Sequence, residues 1–262
     1  MAIVSLDGYI NAVKEIATWM KSASITTVAS IPFTVFDQAG QPGAGTLNAG
    51  NTANGLAPVD TTNGYPLIAS FGGIAGYLSG IDFGSSVACR ISIFDRLFTC
   101  GAYSFNSNVT LTAQPSYSAR VPELNYNGLQ IWIEHVTAFT GTPSFQINYL
   151  DQDGNAGDSG VFSQTPTSLL IRRAMQIPLA AGDSGVQQIT QVRCTVATAG
   201  TFNVSVLRPL WSGRVPVANS GDVHDLLRTG LPLIYDTSAL YVLIQADSTA
   251  SGFPSLQLEI AH

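Results

Sequence analysis

From about residue 74 to the C-terminus, apolar and polar residues alternate over short runs, and turn-forming residues interrupt those runs about every ten positions. Leu129, Ile131 and Ile133, with His135 at the end, share one side of such a run, and Gln130, Trp132 and Glu134 share the other. Phe202, Val204 and Val206 alternate with Asn203 and Ser205 in the same way. Side chains of an extended strand point alternately to its two faces, so a period of two lets one face be buried. The pattern predicts strands over residues 87–98, 109–113, 129–139, 144–150, 175–179, 187–196, 201–207, 240–246 and 255–260. Strands of this length with no helical period between them stack as two antiparallel layers, and a jelly roll is the common eight-stranded form. The expected fold is all-β, a jelly-roll-like antiparallel sandwich over residues 75–262. A short helical turn is expected at residues 222–228, opened by Ser220 or Asp222.

Residues 1–74 read differently. Leu6, Tyr9, Ile10, Val13, Ile16, Ala17 and Met20 fall at helical intervals, which predicts one amphipathic helix. Ser5 or Asp7 caps it, Lys21 suits its negative end, and the β-branched polar run after it stops it. Such a helix either covers the open end of its own sandwich or docks on another subunit, and Trp19, off the stripe, offers a second contact. Residues 36–66 are dense in Gly, Asn, Pro and Thr and cannot build a core alone. They form a long polar arm, laid over a neighbour or kept as a surface excursion.

Composition narrows the function. Only 11% of the 262 residues are charged, against about 25% in an ordinary soluble domain, and the only lysines are Lys14 and Lys21. A surface so poor in ions suits a subunit buried among others in a large assembly. The formal charge of −6 gives no electrostatic reason to approach nucleic acid. No apolar run reaches the roughly 18 residues of a membrane helix, and no basic segment precedes an apolar block as in a signal peptide. Synthesis in a cytoplasm is expected, with neither membrane nor nucleic acid as partner. Cys89, Cys100 and Cys194 show no metal-site or disulfide spacing and read as buried thiols.

Three motifs suggest chemistry. Residues 157–160 and 182–185 both read Gly-Asp-Ser-Gly, the sequence around the nucleophile of trypsin-like proteases. A working serine needs a histidine base and a carboxylate to orient it. His135, His224 and His262 lack the surroundings for that, so two equivalent turns are the simpler explanation. Asp151, Asp153 and Asn155, with Asp158 following, resemble the first half of a calcium loop, but the closing Glu is absent. A hairpin turn explains the same residues. Asp95-Arg96 stands inside an apolar run, where a charged pair needs partners when buried. These two residues either fix strand register or bridge to the next chain. No phosphate loop, metal triad or nucleotide fingerprint is present, so no cofactor and no enzymatic activity are expected.

The stretches 76–105, 129–157 and 177–210 resemble a widespread group of tailed-bacteriophage virion proteins, similar to capsid-decorating or minor head proteins. The resemblance rests on the Phe94-Asp95-Arg96-Leu97-Phe98 run, the Gly182-Asp183-Ser184-Gly185 turn and a late strand closing with Leu207-Arg208-Pro209. It covers about half the chain, and none of these features is a chemical motif. It implies a virion component made in a bacterial host, a decoration protein on the capsid surface. Its partners would be the major capsid protein and further copies of itself, for instance as a trimer. Assembly contacts are expected at Tyr9, Val13, Trp19 and Lys21 on the helix, at Asp95 and Arg96, and at Trp211. The alternatives are a tail or head-to-tail connector component, or a carbohydrate-binding adsorption module stacking sugars on Trp132 and Tyr241.

Overall fold

The computed structural model describes residues 5–72, 75–104, 106–163, 170–194 and 199–262; the expected boundary at 74 and the expected strand end at 196 lie outside them. Two long strands organise the molecule. β6 (Cys89–Ser104) and β14 (Thr201–Val215) pair antiparallel along their whole length. They form the middle of a central sheet of order β12-β8-β14-β6-β17-β3, with β12 (Ala174–Ile177), β8 (Gln130–Thr137), β17 (Leu240–Ala246) and β3 (Pro32–Phe33).

Two further sheets pack against this one. The first has the order β15-β5-β19-β1-β4, from β15 (Ser220–His224), β5 (Gly76–Ser85), β19 (Pro254–Ala261), β1 (Lys14–Lys21) and β4 (Gly40–Gln41), and β16 (Leu233–Ile234) also pairs β5. The second has the order β10-β9-β13-β7, from β10 (Ala156–Asp158), β9 (Ser144–Asp151), β13 (Val186–Cys194) and β7 (Asn108–Thr110), and β11 (Phe162–Ser163) also pairs β9. A ribbon of β2 (Ile25–Thr26) and β18 (Ser251–Gly252) completes the strands among the described residues. The chain is all-β and sandwich-like, with one continuous layer facing a split one.

The split gives two cores. Ile91 and Ile93 of β6 and Val242 and Ile244 of β17 meet Trp19, Phe83 and Leu258 in the first. Phe98 and Cys100 of β6 and Val204 and Val206 of β14 meet Phe145, Ile147 and Val192 in the second. Each such aliphatic or aromatic side chain contributes about 1.5–3 kcal/mol by leaving water. Leu97 and Phe98 are adjacent yet both enter the second core. Val206 faces Phe98 while Leu207 faces Arg96, so the ladder slips there by one residue, as in a β-bulge.

The opposite face of the central sheet is concave. Tyr241 on β17 donates a hydrogen bond to Glu134 on β8 although β14 and β6 lie between them. In a flat sheet three strand spacings would hold them about 14 Å apart. The sheet therefore curls, and its two edges meet where Phe33 bridges Arg173 and Thr34 N donates to Arg172 O at 3.0 Å. Phe36 and Tyr65 fill the concavity with Phe94, Leu207, Tyr241 and Leu243. The polar segment 36–66 is thus folded onto its own chain. Leu56 bridges Thr99, and Asn203 Nδ2 donates to Leu47 O.

The N-terminal expectation needs correction. The helix α1 covers only Leu6–Asn11, capped as expected by Ser5, whose side chain accepts from Gly8 N. Residues Lys14–Lys21 form β1, paired along its length with β19. Ala17, Trp19 and Lys21 point inward and Ile16 and Met20 outward, so pairing with the C-terminal strand overrides the helical spacing. The expected turn at 222–228 is also shifted. Residues Ser220–His224 are β15, and Asp225 caps a short helix α2 (Leu226–Thr229) that ends at Gly230 with φ 73°.

Candidate functional site

Asp95 and Arg96 of β6 point to opposite faces and build two separate clusters. Asp95 stands between Ile93 of the first core and Leu97 of the second, at the seam of the split layer. Its Oδ1 accepts from Arg120 Nη1 at 2.6 Å and Ala239 N at 3.0 Å, and its Oδ2 accepts from Ser238 Oγ at 2.8 Å and Arg208 Nη2 at 3.1 Å. Arg120 also donates to the carbonyls of Pro58, Arg96, Leu97 and Thr237. One carboxylate thus draws two guanidinium groups, a loop and the helical turn carrying Arg120 into the seam.

On the concave face, Arg96 Nη2 donates to Glu134 Oε2 at 3.3 Å and Nη1 to Tyr65 Oη at 3.3 Å. Its guanidinium lies 3.6 Å from the Tyr241 ring centre. Asn203 and Tyr241 donate to the two oxygens of Glu134. Burial, with Glu134 beside it, holds the Tyr241 phenol well above its ordinary range, so it stays a donor. Burial alone would weaken the Arg96 cation, but Tyr65, Tyr241 and Glu134 outweigh it and keep it charged. Asp95 and Arg96 therefore hold strands of one chain together. Being buried, neither meets the next subunit in the folded chain.

Other expected contacts are also enclosed. Trp19 is 1% exposed in the first core. Lys21 is 0% exposed, with Nζ donating to the carbonyls of Pro42 at 2.8 Å, Gly43 at 3.2 Å and Phe36 at 3.4 Å. Trp211 is buried, and its Nε1 donates to His224 Nδ1 at 3.0 Å. These three are corrections, because strand alternation points each of them into its own subunit. Of the sugar-stacking candidates, one is enclosed and the other is half-buried against a neighbouring ring. Tyr241 is buried, and Trp132 packs on Phe94 while its Nε1 donates to Gln130.

The calcium-loop residues do not converge. Asp151 Oδ1 accepts from the backbone amides of Asp153 and Asn155, both at 2.8 Å, so its carboxylate caps the hairpin between β9 and β10. Asp158 accepts from Gly160 N at the far end of β10. Among the described residues no three His, Cys, Asp or Glu side chains gather as a metal site. The two Gly-Asp-Ser-Gly segments are turns. Ser159 Oγ donates to Gly160 O and accepts from Ile147 N, and Ser184 Oγ donates to Asn127. Among the described residues neither serine bonds a histidine: His135 Nδ1 lies 3.0 Å from Leu170 O, and His262 packs on Phe71.

The outer N-terminal face is accessible and apolar. No residue of α1 is buried. Leu6, Ile10, Val13, Ile16 and Met20 are each at least 50% exposed, and Leu227 on α2 is 82% exposed. Leu6, Tyr9, Leu226, Leu227 and Leu231 line an apolar cleft of about 480 Å³ between the two helices. Tyr9 is fixed there by donating to Glu259 Oε1 at 2.8 Å. Tyr9 and Val13 thus stand on an accessible surface. Apart from Ala17, which is buried, the residues whose spacing suggested one long helix lie on the accessible side of a short helix and the strand after it.

No helix among the described residues is long and apolar enough to cross a membrane. No protein-family model matches the chain, and no curated protein matches it. Among solved structures it aligns with the infectious bursal disease virus VP2 subviral particle at 10% identity and a TM-score of 0.21, covering 97% of this chain and 81% of that one. The infectious bursal disease virus Gx strain structure aligns at 10% identity and a TM-score of 0.18, covering 96% and 80%. TM-scores this low do not amount to a shared fold.

Proposed function

We propose that this chain is a non-catalytic structural protein of a tailed-phage virion, a decoration protein that binds the major capsid protein and stabilises the shell. One observation carries the reading. A chain with only 11% charged residues also buries Asp95, Arg96, Arg120, Glu134, Arg173 and Arg208, while aliphatic side chains stand exposed along its N-terminal segment. The ionic groups hold the subunit together, and apolar surface is left for contact. Patches of several hundred Å² of that kind mark interaction sites. The resemblance of residues 76–210 to phage head proteins supplies the identity of the partner.

A ligand that binds only the assembled shell stabilises it by mass action. The test mixes purified protein with undecorated capsids and measures co-sedimentation and the temperature of shell disruption. Saturable binding with a rise in that temperature is the expected result. Shells that neither bind the protein nor gain stability would overturn the proposal.

A further inference from the structure

The outer edge of β1 is open over one short stretch. Val13 and His262 exchange both backbone hydrogen bonds, each at 2.9 Å. With the register Glu15↔Ile260, Ala17↔Leu258 and Trp19↔Leu256, alternation assigns Glu15, Ala17 and Trp19 to the bonds with β19. The N–H and C=O groups of Lys14, Ile16 and Thr18 therefore point the other way. Along that side β4 reaches only Met20 and Lys21, and no other strand among the described residues pairs there. The free stretch is bounded by β4 at one end and by α1 at the other.

We infer that this edge pairs with the same edge of a second copy, antiparallel about a two-fold axis through Ile16. The inference deepens the assembly reading above by naming one partner surface, and it does not depend on the shell. Three observations select a second copy. The free groups recur at every second residue and are symmetric about Ile16, so Ile16 faces Ile16 and Lys14 faces Thr18, each facing pair exchanging two bonds. Only this register uses all the free groups without displacing β4. No like charges oppose one another, because Lys14 faces Thr18 and its Nζ is held by the carbonyls of Tyr9, Ile10 and Ala12. The outward side chain at the centre of the edge, Ile16, is exposed in the single chain and is covered by its copy across the axis. An isologous contact of this kind closes on itself as a dimer, and an exposed apolar edge strand is a ready template for it.

Ile16→Pro tests the pairing without disturbing the subunit, because proline is tolerated where the missing N–H faces outward on an edge strand. Sedimentation equilibrium of the wild-type protein should show a monomer–dimer equilibrium. Ile16→Pro should weaken it by about 100-fold or more at unchanged circular dichroism and thermal midpoint. Ile16→Lys should do the same by placing two charges face to face, while Val223→Lys on β15, at the other side of that sheet, should leave the dimer intact. Ile16→Cys should form an intermolecular disulfide under mild oxidant, since facing residues of a bonded antiparallel pair lie about 5.5 Å apart at Cα, and Met20→Cys should not. The inference is overturned by a wild-type protein that stays monomeric at millimolar concentration, by a dimer that survives Ile16→Pro, or by an Ile16→Cys protein that does not cross-link. A monomeric Ile16→Pro variant that still binds shells leaves the decoration role standing by itself, and a dimer that ignores shells leaves the pairing standing without it.

Discussion

Tyr241 donates its phenolic hydrogen to Glu134 across two intervening strands of the same sheet. That single bond ties β17 to β8 and closes the concave face over Arg96. Tyr241→Phe should cost about 1–3 kcal/mol, the usual range for leaving a buried polar partner short of a bond. Glu134→Ala should cost about 3–5 kcal/mol, because it leaves the Arg96 charge buried without its carboxylate. Urea unfolding midpoints should fall in that order, and equal losses for the two variants would refute the assignment of the charge to this pair.

The seam cluster predicts an asymmetry. Asp95 accepts four hydrogen bonds, two of them from guanidinium groups. Asp95→Ala should therefore destabilise by at least about 3–5 kcal/mol. Arg208→Met should cost less, because Arg120 still neutralises Asp95. Thermal midpoints of the two variants, compared in one buffer, check this.

The thiols predict a pH dependence. Burial pushes the Cys100 and Cys194 thiols up to about 12 and raises that of Cys89. The folded chain therefore holds these protons where the unfolded chain releases them. For Cys100 and Cys194 the associated stability is fully present below the unfolded value of about 9 and is lost as pH rises through the folded values of about 12; for Cys89 the direction is the same. At pH 8 a disulfide reagent should label none of the three cysteines in the native protein and all three in denaturant. Rapid native labelling would contradict this burial.

At the β9–β10 hairpin, burial alone would raise the Asp151 carboxyl, but the donors of Asn155 and Asp153 outweigh it and hold it low. The stabilisation it gives is present above the unfolded value and is lost as pH falls through the folded one. Asp151→Ala should lower the thermal midpoint by a few degrees, while millimolar calcium should leave the wild-type midpoint unchanged. A calcium-dependent rise would restore the metal reading of Asp151, Asp153, Asn155 and Asp158.

Strands with clean alternation or an unbroken apolar run were readable in the sequence. β17 coincides with its expected span, and β8 and β9 lie within a residue or two of theirs. Length was harder to see. β14 runs on past Leu207 because bulges near Pro209 let both Leu210 and Trp211 face the first core, and a bulge breaks the period of two. The segment 14–21 satisfies both periods, since Ile16 and Met20 are four apart and Ala17, Trp19 and Lys21 are two apart. Which period wins depends on β19, about 240 residues away in sequence. Trp19, off the helical stripe, was the one local sign of a strand. The Asp95-Arg96 pair was legible as needing partners. That Glu134 supplies one follows from the curl of the central sheet, and that Arg120 supplies the other follows from a helical turn docking at the seam; no local pattern encodes either.

Because β6 and β14 run uninterrupted through both cores, neither half of the subunit owns a complete set of strands. Loosening one hydrophobic interior slackens the ladder that shapes the other. The molecule therefore resists damage and yields to it as a single cooperative piece, with no half able to survive as a folded fragment.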